Sequence, residues 1–204
     1  MLPICPESPI SRELATEISA MNREFLSLLT HPQVAGYPQL LGLDSGVINS
    51  LRRLDDSQLQ CLAQAPLLLA DFSLLRGTES GSGHHAFGVA DSNVPAEWLE
   101  CVLNYANRLL TSLWHCSRQP EGITGFCVGL DRATARSLAT MNFSELCGRA
   151  DAICGSLRAR HADHPICWPD LVSTARGNLP EKLAAAQLSL IPLTVAANFS
   201  NIPD

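Results

Sequence analysis

Apolar residues recur along this chain in steps of three and four rather than two. Between Ser11 and Thr30, Leu14, Ile18, Met21, Phe25 and Leu28 share one face with charges opposite, which predicts a long amphipathic helix. Pro95 to Cys116 repeats the design with Trp98, Val102, Tyr105, Leu109 and Leu113, and Pro95 suits a first helical turn. Val47, Ile48, Leu51 and Leu54 predict a short helix opened by Asp44, whose carboxylate can accept orphan N–H groups. Asp55 with Gln58, and Asn142 with Glu145, form capping-box pairs that each start a further helix. Leu59, Leu62 and Ala63 line the buried stripe of the first, and Leu146, Ala150 and Ile153 that of the second. Pro66 is expected to stop or kink the first of these helices early, whereas the second is expected to run on toward Arg160. Pro165, Pro169, Gly177 and Pro180 punctuate the end of the chain, leaving one helix near Glu181–Leu190 and an irregular tail. No segment alternates apolar and polar residues, so the expected fold class is all-α.

The pattern occurs twice. Gly42-Leu43-Asp44 returns as Gly129-Leu130-Asp131, 87 residues later, and the same offset aligns Ser50-Leu51 with Ser137-Leu138, Asp55 with Asn142 and Gln58 with Glu145. Nine of 24 consecutive positions are identical without a gap, which points to an internal duplication of one helical unit. The domain organisation read from this is a first unit over 11–76, a Gly- and Ser-containing linker over 77–94, a second unit over 95–164, and a C-terminal helix with its tail over 165–204. Faces that one unit cannot bury alone would meet as a pseudo-dimer.

Composition narrows the function. The 204 residues are 46% hydrophobic, enough for a sizeable core, and Lys+Arg 14 against Asp+Glu 20 gives a net charge of −6. Such a balance argues against unaided binding to nucleic acid, whose affinity comes from phosphate neutralisation. The eight cysteines sit in a chain long enough to build a core without disulfide staples, so they read as small buried hydrophobes. Met-Leu-Pro-Ile-Cys-Pro-Glu shows no export leader, and Leu183–Phe199 is too broken to span a bilayer, so the expectation is a reduced, cytoplasmic protein with no membrane association.

Few residues suggest chemistry. A helix-turn-helix reading needs cationic side chains on an exposed face, and the second unit offers Arg132, Arg136, Arg149, Arg158 and Arg160 as candidate DNA contacts. Asp131, Glu145, Asp151 and Asp163 nearly balance them, which fits a solvated helix face as well. His161, His164 and Cys167, with Cys154, carry zinc-type donors at three-residue spacing, but Pro165 interrupts them and no Cys-x-x-Cys completes a tetrahedron, so no metal is expected. Gly81-Ser82-Gly83-His84-His85-Ala86 matches a loose dinucleotide pattern without the helix that would hold a pyrophosphate. His115 and Cys116 point about a third of a turn apart on their helix, and no nucleophile elbow, phosphate loop or carboxylate pair is present. The expectation is a non-enzymatic protein without a cofactor.

In the second unit, Leu103-Asn104-Tyr105, Arg108-Leu109-Leu110, Val128-Gly129-Leu130, Ala139-Thr140-Met141, Ser144 and Leu146 follow one another in a way that resembles the FlhD family, helical subunits of bacterial flagellar master regulators and their relatives in mobile elements. That resemblance covers two stretches of about 60 residues and implies a helical regulator that dimerises and acts on promoters with a zinc-bearing partner, FlhC. Two units in one chain, and no Lys or Arg between Ser57 and Ala65, depart from the family pattern. The expected function is therefore a transcription-regulator subunit, monomeric or homodimeric, that reaches DNA only within a complex with an FlhC-like partner. The rival expectation is an adaptor or chaperone-like module that holds another protein and has no DNA role.

Overall fold

The computed structural model describes residues 12–34, 39–72, 95–118, 127–130 and 132–199. The linker expected over 77–94, and Asp131, the repeat counterpart of the helix-opening Asp44, lie outside the described residues. Helix α1 (Arg12–Thr30) buries Leu14, Ile18, Met21, Phe25 and Leu29, as its periodicity requires, and also Asn22. A short 3₁₀ turn (Pro32–Val34) leads to β1 (Gln39–Leu40), which pairs antiparallel with β2 (Leu43–Asp44) through Leu41-Gly42. Both turn residues have positive φ, 49° and 85°, the condition for a two-residue hairpin whose twist matches its strands. Helix α2 (Ser45–Leu51) starts on the Asp44 carboxylate, which accepts from Val47 N–H at 3.0 Å. Helix α3 (Asp56–Ala63) starts on the Asp55–Gln58 capping box, with reciprocal bonds of 2.8 and 3.0 Å. The Ser57 hydroxyl and the Gln58 N–H hold the Asp55 carboxyl below its ordinary pKa. A two-residue strand, β3 (Ala70–Asp71), follows.

Helix α4 (Ala96–Ser117) lies antiparallel against α1, because contacts run in opposite directions along the two. Trp98 Nε1–H donates to the Leu28 carbonyl at 3.0 Å, the Phe25 and Tyr105 rings stand 5.9 Å apart, and Arg108 pairs with Glu24. Three short helices then pack across α4: α5 (Arg132–Thr140), α6 (Phe143–Cys147), opened by the Asn142–Glu145 capping box, and α7 (Ala150–Ser156). Strand β4 (Arg158–Ala159) pairs antiparallel with β3, setting Asp71 opposite Arg158. Helices α8 (Cys167–Arg176), α9 (Pro180–Leu188) and α10 (Leu190–Phe199) complete the chain, with α8 against α2 and α3. The fold is all-α but for these four two-residue strands among the described residues. No described helix is long and apolar enough to cross a membrane.

Two features differ from the expectation. The helix after Asn142 does not run to Arg160: it breaks at Gly148-Arg149 and ends at Ser156, since residues 158 and 159 are drawn into the ladder with β3. The C-terminal region holds three helices rather than one and a tail. Pro169 and Pro192 each stand third in a helix, where the missing N–H has no intrahelical acceptor to lose, so they are compatible with helix starts.

Asn22 is the polar exception in the α1 core face. It is 0% exposed, donates to the Ala63 and Leu67 carbonyls at 3.2 and 3.0 Å, and accepts from Leu69 N–H at 2.7 Å. One amide thus ties the end of α3 and the approach to β3 onto α1. Gly42 is constrained twice, by φ and because an added Cβ would stand 2.9 Å from the Ala162 Cβ.

Asn22→Leu, which keeps the volume but orphans several buried backbone groups, is expected to cost roughly 3 kcal/mol or more in urea unfolding. Gly42→Ala is expected to cost about 1–3 kcal/mol through strain at its φ. Gly155→Ala, in helix α7 with open space around it, should instead stabilise by about 0.5–1 kcal/mol. The opposite signs of the two glycine variants separate backbone strain from helix propensity.

Candidate functional site

Arg158, Arg160, His161 and His164 come together because β4 ends in a turn that carries the chain back over the Gly129 backbone. With Asp71, Gly129, Asp163 and Thr194 they line an open cavity of about 400 Å³. Strand pairing fixes the entrance: Arg158 lies opposite Asp71 and donates from Nε to its carboxylate at 2.9 Å, while its Nη1 reaches Asp163 at 3.5 Å. Arg158 is therefore held between two carboxylates.

Arg160 is different. Its backbone is fixed by N–H to the Leu69 carbonyl at 2.7 Å and by its own carbonyl, which accepts from Trp168 Nε1–H at 2.8 Å. The residue is only 6% exposed, and the guanidinium lies against Gly129, where φ of 81° and the missing Cβ leave room for it. Nη2 donates to the Ala70 carbonyl at a long 3.4 Å, Nε has no hydrogen-bond partner, and no described carboxylate lies within ion-pair distance. Burial lowers the guanidinium pKa, against the attraction of Asp71 and the nearby Tyr105 and Cys127. The Tyr105 hydroxyl is likewise buried without a partner, and burial raises its pKa.

His161 follows at φ 55°, a left-handed conformation uncommon outside glycine. Its Nε2 stands 3.1 Å from Thr194 Oγ1, and that hydroxyl already donates to the Leu190 carbonyl at 2.9 Å. The hydroxyl proton being committed, Nε2 carries the hydrogen and Nδ1 is the imidazole's remaining position. Burial, then the positive Arg160, lower the His161 pKa from 6.5; Asp71 opposes this, and His164 and Arg158 add to it.

The five candidate DNA contacts do not share one free basic face. Arg132 opens α5, Arg136 is exposed on it, and Arg149 is half-buried between α6 and α7. Arg158 is bound to Asp71 and Asp163, and Arg160 is buried. The zinc-type spacing also resolves differently: residues 161–166 form turns rather than a helix, and Cys167 is buried at the start of α8. Among the described residues no three metal-ligating side chains are grouped. The Cys116 and Cys167 thiols are pushed up to about 11, first by burial, and no disulfide joins the described cysteines. A second, larger concavity of about 630 Å³ between α1 and α3 is lined by Ala15, Ser19, Ala20 and Arg23, whose guanidinium is committed to Asp56.

The lowered His161 pKa sets a sign. The unfolded chain takes up a proton near pH 6.5 that the folded chain resists, so this contribution is complete above about pH 6.5 and is lost as the pH falls through the lower folded value. His161→Asn tolerates the left-handed φ and removes the titration. Melting temperatures recorded from pH 7.5 to 5 should fall more steeply for the parent chain than for this variant. Parallel curves would contradict the assignment.

No family model, curated protein or solved structure matches the chain.

Proposed function

We propose that this chain is a non-enzymatic regulatory subunit, built as an intramolecular pseudo-dimer of two related helical units, that acts on transcription by assembling with a DNA-binding partner of the FlhC kind. The observation that carries the reading is the β3–β4 ladder. It pairs a strand of each unit, and its Asp71–Arg158 pair is separated by 87 residues, the offset of the sequence repeat itself. Across a two-fold between antiparallel strands a residue on the axis meets its own counterpart and its neighbours pair crosswise, as Ala70 does with Ala159, which stands 87 positions after Phe72.

Each unit supports the same pairing. A long helix is followed by a glycine of positive φ, a buried leucine (Leu43, Leu130), a short helix, a capping box and a two-residue strand. Buried positions of the long helices correspond at a spacing of 84: Leu14 with Trp98, Ile18 with Val102, Met21 with Tyr105, Phe25 with Leu109 and Leu29 with Leu113. The change of spacing from 84 to 87 places three extra residues in the second connector. Joining the units in one chain removes the concentration dependence of their association.

Charge assigns DNA affinity to the partner. The net charge is −6, Arg158 is committed to carboxylates and Arg160 is buried, so this chain contributes little phosphate neutralisation. The adaptor reading, with no DNA role, draws on Leu99 and Leu103 of α4 and on Phe143, apolar side chains that are 38%, 39% and 64% exposed and that any protein client could cover.

Gel-shift titrations on promoter fragments, run against salt, separate the readings. The chain alone should bind weakly. A complex captured from the native host should bind with a steep salt slope that Arg136→Glu in this chain leaves unchanged. Strong salt-dependent binding by the isolated chain, abolished by Arg136→Glu, would overturn the division of labour. A captured complex that never shifts DNA would leave the adaptor.

A further inference from the structure

Arg160 carries more hydrogen-bonding capacity than its surroundings use. A guanidinium has five donors in a rigid fork, shaped for the paired oxygens of a carboxylate or phosphate group. Here the residue is 6% exposed, its Nε is unmatched, and a single long bond to the Ala70 carbonyl is the only hydrogen bond its side chain makes among the described residues. A buried cation left this way is costly, whereas one that meets an anion and fills its donors is not. The same side chain lines the 400 Å³ cavity shared by Gly129, His161, His164 and Thr194.

We propose that this cavity binds one compact anion, the carboxylate or phosphate group of a small molecule, on the Arg160 guanidinium. The lining selects size as well as charge. Arg158 and Arg160 share the lining with Asp71 and Asp163, so the fixed charges balance and no broad positive field is available to a polyanion such as DNA. Affinity then rests on the buried fork rather than on the rim. Asp163, with its side chain 91% exposed and 3.5 Å from Arg158, is the rim charge that opposes entry. Gly129 is a requirement of the site, since a side chain there would occupy the space of the guanidinium. This ligand would be additional to the regulatory reading and does not depend on it.

The test uses the full chain, with inorganic phosphate and succinate titrated separately against chloride at constant ionic strength. Melting temperature and, for phosphate, ³¹P line width are the readouts. At least one anion should raise the melting temperature along a saturating curve, by several degrees once it exceeds its dissociation constant about a hundredfold. If both do, each should displace the other. Asp163→Asn, an exposed change that leaves the core intact, should tighten binding about two- to fivefold by removing the opposing rim charge. Arg160→Met should abolish the saturable response and, with circular dichroism unchanged, be no less stable than the parent chain in the absence of anion. A linear response to both anions, no change of affinity in Asp163→Asn, or a saturable response surviving in Arg160→Met would each overturn the proposal.

Discussion

The chain between Leu157 and Ala162 is the seam on which the rest of the molecule closes. Ala159 N–H reaches the Leu41 carbonyl at 2.7 Å, Arg160 N–H reaches Leu69 at 2.7 Å, and strand β4 pairs with β3. Gly42 lies under Ala162, and Gly129 lies under the Arg160 side chain. Leu157, Ala159 and Arg160 are buried, so their backbone groups have no water to fall back on. The two glycine turns must present their bare backbones to this segment, which is why each is placed directly before a buried leucine and carries φ near 80°.

From that seam outward, polar groups inside the core do most of the positioning. Asn22 satisfies the end of α3 from within α1, Gln187 of α9 donates to the Cys61 carbonyl at 3.0 Å, and Trp168 of α8 donates to Arg160. Apolar burial pulls the long helices α1 and α4 together but does not choose their register. The indole of Trp98 on Leu28 supplies a directional bond that does, and the amide of Asn22 does the same for the end of α3 against α1. The C-terminal helices use the same device: α8 packs on α2 and α3, while its Trp168 and Thr194 of α10 reach the Arg160–His161 turn. Phe143, at the start of α6, stays exposed.

Electrostatics follow the same geometry. Two arginines separated by one residue end in opposite states: Arg158 at the rim between two carboxylates, Arg160 inside with donors to spare. Two positions apart would share one face of a continuing strand, but β4 ends at Ala159; the turn after it lays Arg160 against Gly129 and carries His161 into a left-handed conformation beside the same cavity. A basic cluster in the sequence has thus become one neutralised arginine and one buried fork.

The helices α1 to α4 and both capping boxes were determined locally, because their signals are apolar spacing over one element and side-chain bonds across three residues. The positive φ at Gly42 and Gly129 belongs with them, being tied to a motif visible in the repeat. The C-terminal helices were hidden by Pro169 and Pro192, residues that break a helix in its middle yet fit its first turn; only the helix start decides between the two. Asn22 left a legible trace as a polar residue four positions after Ile18 on an apolar face, but its partners, more than forty residues away, did not. The burial of Arg160, the Asp71–Arg158 pair and the cavity they frame were decided by tertiary structure alone, since they arise where segments nearly ninety residues apart exchange backbone hydrogen bonds. A charge written in sequence carries no record of the solvent it will keep or lose.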